Sequence, residues 1–152
     1  MQFEISISID RSPSDVFAFL RDKDEFPQEV GSPVLILEQT TPGPAGVGTR
    51  YREVVQMLPF FQGEILSKIT RFEPGQYLEE DFWGAGMRGH LAYRFLSEGD
   101  GTRLIQRETV RCCGLLGLLD PVIKAMLFRR CRERLDGIKA VLESGWTTGL
   151  KG

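Results

Sequence analysis

The residues best placed to do chemistry in this chain are polar side chains that fall on the apolar phase of a strand. Glu53 shares the two-residue phase of Tyr51, Val55 and Met57, and Gln106 and Glu108 share that of Leu104 and Val110, so all three are expected to point inward. An inward carboxylate costs free energy unless it is paired or solvated. Such a group binds a ligand's hydroxyl or carbonyl or, with a raised pKa, moves a proton. Glu53 and Glu108 are therefore the acid–base candidates, with Tyr51 or Gln106 able to polarise a carbonyl. The competing reading has the two glutamates meeting arginines, lying at a wet end of a cavity, or turned away by a bulge. Two inward carboxylates are catalytic only if they converge near a reacting atom.

Other chemistry finds little support. His90, the 1 histidine, falls on the phase opposite to Leu91, Tyr93 and Phe95 and is expected to face outward. Cys112 and Cys113 are adjacent and Cys131 stands alone, without a Cys-x-x-Cys or Cys/His spacing, so reduced structural thiols and neither a metal nor another cofactor are expected. Lys and Arg number 19 against 21 Asp and Glu, a net charge of -2, which argues against nucleic acid as a partner. No apolar run approaches the ~20 residues of a membrane span, and Met1 to Glu4 lack the basic and apolar regions of a signal peptide, so a cytoplasmic location is expected. The basic face carried by Arg129, Arg130, Arg132 and Arg134 suits a peripheral contact with anionic lipid, an acidic protein partner, or plain solvation. Monomer and homodimer both remain open.

The elements that must position these residues are legible from periodicity. Phe3, Ile5, Ile7 and Ile9 alternate with polar residues as a strand, followed by Ser12-Pro13-Ser14-Asp15 as a helix start and Val16, Phe17, Phe19 and Leu20 as the helix's apolar residues. Lys23 to Pro27 reads as a break and a second short helix or turn, and Val34 to Leu37 as a buried strand. Five further strands follow, at 49–57, 61–72, 76–82, 87–97 and 102–110, separated by short turn signals such as Glu73-Pro74-Gly75 and Gly84-Ala85-Gly86. After Gly114, with Asp120-Pro121 as its start and Gly145 as its stop, Leu119, Ile123, Leu127, Cys131, Leu135, Ile138 and Leu142 form the apolar stripe of a long helix. The glycine-punctuated run Gly114 to Leu119 is read either as a mobile gate or as a tightly packed turn. Residues 1–145 form one α+β domain of order β-α-α-β-β-β-β-β-β-α, and 146–152 a tail without pattern that is expected to be disordered.

Five short stretches in this order carry a family resemblance: Ile9 to Phe17 at the first strand–helix junction, Gly48-Thr49-Arg50-Tyr51, Phe72-Glu73-Pro74-Gly75, Gly101-Thr102-Arg103-Leu104, and Lys139 to Glu143. Together they resemble the START-like superfamily, also called SRPBCC, which includes polyketide cyclases and dehydrases and lipid-transfer domains. The resemblance implies a helix-grip fold, a curved seven-stranded antiparallel sheet wrapped around the C-terminal helix, with an apolar ligand cavity between them. It brings no catalytic motif, so function must be argued from the site. The residues expected to line that cavity are Tyr51, Glu53, Val55, Met57, Phe61 and Phe82 from the earlier strands, Tyr93, Phe95, Gln106 and Glu108 from the later ones, and Leu119, Ile123 and Leu127 from the helix. Trp83 joins them as an aromatic candidate. The expected ligand is a small hydrophobic molecule such as a lipid, isoprenoid or polyketide. The alternatives are a polyketide cyclase/dehydrase-like enzyme and a protein-interaction module.

Overall fold

A computed structural model describes residues 1–23 and 34–145. The expected second short helix or turn after Lys23 and the C-terminal tail lie outside the described residues. Strand β1 (Gln2–Ile9) leads into helix α1 (Pro13–Arg21), and β2 (Val34–Gln39), β3 (Arg50–Leu58), β4 (Phe61–Glu73), β5 (Tyr77–Gly84), β6 (Met87–Glu98) and β7 (Gly101–Cys112) follow. A 3-10 helix (Gly114–Leu119) then opens the long helix α2 (Asp120–Glu143).

The strands form one antiparallel sheet in the order β1-β7-β6-β5-β4-β3-β2. The strands from β3 to β7 make a meander because each junction is too short for anything but a hairpin. Residues alternate between a face packed beneath α2 and a solvated face, so Phe3, Ile5 and Ile9 of β1 are buried while Gln2, Glu4 and Ser8 are exposed. Leu135, Ile138 and Leu142 anchor α2 in this core at 0 % exposure. The first half of α2 has no fully buried residue. The helix therefore grips the sheet with its C-terminal turns and leaves room beneath its N-terminal turns.

The gripped end is closed by α1. Ser12 Oγ accepts from the Asp15 N–H, the capping expected of this junction. Phe17 stacks edge-on against Phe72 and Phe95, with ring centroids 5.2 and 5.4 Å apart. Arg11 ties the two helices together, pairing with Asp15 and donating to the Leu142 carbonyl at 2.8 Å.

The buried strand expected at Val34 to Leu37 is instead the exposed edge of the sheet, with Leu35 and Ile36 at 40 % and 48 % exposure. Its apolar run is as long as that of a central strand, and composition alone does not distinguish the two. The apolar run read either as a mobile gate or as a tightly packed turn is exposed as well. The residues from Gly114 to Leu119 form a 3-10 helix with no buried residue, and Leu115 and Leu118 are 83 % and 79 % exposed. Among the described residues no helix is long and apolar enough to cross a membrane.

Candidate functional site

Beneath the N-terminal half of α2 lies a cavity of about 150 Å³. Its apolar wall comes from the inward phases of the sheet, with Val55 and Met57 of β3, Ile65 of β4, Phe82 of β5, and Met87 and Leu91 of β6. Val34 adds to it from β2, and Leu127 closes it from α2. Phe82 can lie flat in this wall because its cross-strand partner is Gly89, where a Cβ would sit 2.6 Å from the ring and closer still to the Thr109 carbonyl oxygen.

The polar lining divides into two groups. In the first, Gln106 and Glu108, neighbours on the inward phase of β7, meet Cys131 of α2. The Gln106 amide and the Cys131 thiol both donate to Glu108 Oε2 at 3.2 Å. Burial is the main cause that raises the Glu108 carboxyl above its ordinary range, against the opposing effect of these two donors. Burial likewise raises the Cys131 thiol, and the Glu108 carboxylate adds to the rise, so this sulfur stays protonated and acts as a donor. With its Nε2 committed to Glu108, Gln106 leaves Oε1 buried and without a hydrogen-bond partner among the described residues.

In the second group, Lys23, just past α1, points its ammonium at Glu80 of β5, with Nζ 3.0 and 2.9 Å from the two carboxylate oxygens and 3.5 Å from Glu53 Oε1. All three side chains are at most 13 % exposed. Ser67 donates to Glu80 at 3.5 Å, and the Lys23 ammonium also lies 4.5 Å over the Tyr51 ring. Glu53 is thus held by a lysine, where the sequence suggested arginine as the competing partner. Glu80 and Arg134 also line a narrow adjoining pocket of about 10 Å³, beside Tyr51 and Tyr93. The Tyr93 hydroxyl there is buried with no hydrogen-bond partner among the described residues, and burial raises its pKa. The cavity is apolar at its sides and polar at its floor.

Of the residues singled out from sequence, Glu53, Val55, Met57, Phe82, Gln106, Glu108 and Leu127 come together on this cavity. Tyr51 and Tyr93 border the narrow pocket, and the Tyr51 hydroxyl donates to the Arg21 carbonyl at 3.4 Å. Phe95 is buried among the aromatic rings of the closed end. Phe61, at the first position of β4 beside the hairpin turn, is 54 % exposed, and Trp83 faces the solvated side of the sheet. Leu119 is 54 % exposed and Ile123 half-buried, because the 3-10 helix and the first turns of α2 lie beyond the gripping part of the stripe. His90 lies on the outer face, 2.7 Å from Asp81.

Ser67, Glu80, Arg130, Cys131 and Arg134 line the cavity, and Lys23 the narrow pocket, without having been expected there. Glu80 was findable by the criterion that found Glu53, since it shares the inward phase of Leu78 and Phe82. Lys23 carries no such signal, because it lies past the helix end, where no period applies.

The family model described as "Polyketide cyclase / dehydrase and lipid transport" matches residues 1–143. No curated protein matches the chain in sequence. Among solved structures, the TTHA0849 protein from Thermus thermophilus superposes with a TM-score of 0.75 at 19% identity, covering 97% of this chain and 100% of its own. Ara h 8.0201 gives 0.74 at 18% identity, covering 95% and 99%. A START superfamily protein from Mycobacterium smegmatis gives 0.78 at 11% identity, covering 94% and 97%. At these identities the likeness establishes the helix-grip fold.

Proposed function

Because this chain belongs to the polyketide cyclase/dehydrase and lipid-transport family, we propose that it binds one small, largely apolar molecule in the cavity beneath α2, with a hydroxyl or similar donor of that molecule on Gln106 Oε1. The observation that carries this reading is Gln106, which lines the cavity beside its apolar sides and whose buried Oε1 has no hydrogen-bond partner among the described residues. A buried acceptor left unsatisfied costs about 1–3 kcal/mol, and a ligand donor removes that cost while the walls take up its apolar body. The volume limits the size. A cavity of about 150 Å³ suits one or two rings or a short isoprenoid, and a full-length lipid would require the first turns of α2 to swing away.

A second reading, proton transfer in the manner of a cyclase or dehydrase, draws on Glu108, a carboxyl with a raised pKa facing the same space. Screening the purified protein against compact terpenoids, fatty acids and aromatic polyketides by native mass spectrometry and thermal shift tests both. Binding without turnover, weakened by Gln106→Leu but retained in Glu108→Gln, supports the carrier. Turnover lost in Glu108→Gln supports the enzyme. No binding by any member of such a panel would refute both.

A further inference from the structure

The end of the molecule at which the cavity lies carries an apolar surface that the fold leaves uncovered. Phe60, in the β3–β4 turn, is fully exposed, and Leu58 and Phe61 beside it are 62 % and 54 % exposed. The 3-10 helix adds Leu115 and Leu118, and α2 adds Val122. These projections share one end. The Arg130 guanidinium of α2 donates to the Met57 carbonyl at the hairpin, and the Cys113 N–H beside the 3-10 helix donates to the Gly86 carbonyl of the β5–β6 turn. Scattered exposed apolar residues need no explanation, but a cluster of protruding phenylalanines and leucines marks an interaction surface.

The charge around the cluster selects the partner. Arg88 and Arg111 stand directly opposite each other across β6 and β7, both exposed, a cross-strand like-charge pair that costs stability. Neither they nor Lys124, near the start of α2, has an ion-pair partner among the described residues. Trp83, 38 % exposed on the same outer face, sits opposite Arg88. The whole chain carries -2, yet this end concentrates cations around aromatic and leucine tips. A second copy docking through the same patch would set these cations against one another. An anionic bilayer instead receives the tips among its acyl chains, with tryptophan and arginine at headgroup level.

From this juxtaposition we infer that the protein docks on anionic membrane surfaces through the β3–β4 turn, the 3-10 helix and the Arg88–Arg111 pair. The docking stands without the ligand-binding reading. If that reading also holds, the contact brings the cavity up to the bilayer from which an apolar ligand would be drawn.

The test is sedimentation of the full chain with vesicles of phosphatidylcholine alone or with one third phosphatidylserine, free of added ligand. Binding at least tenfold stronger to the anionic vesicles, and reduced by 1 M salt, is expected. At about 1 kcal/mol per cation, equivalent to about fivefold each, Arg88→Gln with Arg111→Gln should weaken binding about 30-fold while leaving the melting temperature unchanged or higher. Phe60→Ser with Leu118→Ser, both at exposed sites, should abolish binding in a protein that still folds. Equal affinity for both vesicle types would overturn the inference, as would binding that the exposed-tip variants leave intact. A concentration-dependent dimer lost in Phe60→Ser, without vesicle binding, would reassign the patch to self-association.

Discussion

Lys23 is the residue on which the polar floor of the cavity depends, and replacing it with Met removes one cation from between Glu80 and Glu53. With an effective dielectric of about 20, the 2.9 Å contact to Glu80 is worth roughly 6 kcal/mol of gross attraction and the 3.5 Å contact to Glu53 roughly 5 kcal/mol. Most of that is offset in the native protein by the cost of desolvating the ammonium. What remains after substitution is a pair of carboxylates at 11 % and 13 % exposure with no cation between them. Breaking a buried pair in this way destabilises by about 3–5 kcal/mol, so Lys23→Met should lower the melting temperature by about 6–20 °C. The assay is urea denaturation followed by circular dichroism, with Lys23→Met/Glu80→Leu alongside. The double variant should recover part of the loss, since it removes the repulsion between the two carboxylates but leaves Glu53 without its cation. A loss below about 1 kcal/mol in the single variant, a value typical of exposed pairs, would mean that water reaches the floor freely and that these charges are not desolvated.

Two further changes probe the walls. Burial raises the folded-state pKa of Glu108 above its unfolded value. Its contribution to stability is therefore fully present below the unfolded pKa and is lost as pH rises through the folded one. Glu108→Gln should accordingly gain stability relative to wild type as pH is raised from about 4 to 7, measured by denaturation at each pH; a constant difference between the two proteins would show that the carboxyl is not desolvated. Gly89→Ala places a Cβ 2.6 Å from the Phe82 ring and hard against the Thr109 carbonyl oxygen, so it should cost about 1–3 kcal/mol and push Phe82 into the cavity. Unchanged stability together with unchanged Phe82 ring chemical shifts would contradict that packing.

The legible parts of the structure are those in which a period and a burial direction coincide. β1 alternates without interruption, and the stripe ending at Leu135, Ile138 and Leu142 packs at 0 % exposure, so both could be read from apolar spacing. The same rule places Glu53, Gln106 and Glu108 on the inner face, where side-chain direction follows from strand geometry alone. It fails at Val34 to Leu37 and at Leu119, because periodicity reports which residues share a face and is silent on whether another element covers it. Lys23 escapes for a different reason. Its role depends on where the chain leaves α1 relative to β3 and β5, a tertiary relation that no local pattern encodes. The 3-10 helix can be read as a gate because exposed and buried leucines look alike in sequence, and its uncovered side chains are part of the proposed membrane surface.

The proposed binding mode, a ligand held between the apolar sides of the cavity with its donor on Gln106 Oε1, can be probed by titrating the protein with 2-naphthol and with naphthalene, two probes of nearly equal shape that differ by one hydrogen-bond donor. Both probes should bind saturably at 1:1, with 2-naphthol about two- to tenfold tighter, as one net hydrogen bond of about 0.5–1.5 kcal/mol requires. Gln106→Leu should erase the difference, and Leu127→Trp, which fills the space beneath α2, should abolish both. Binding that survives Leu127→Trp, or a preference for 2-naphthol that survives Gln106→Leu, would contradict it.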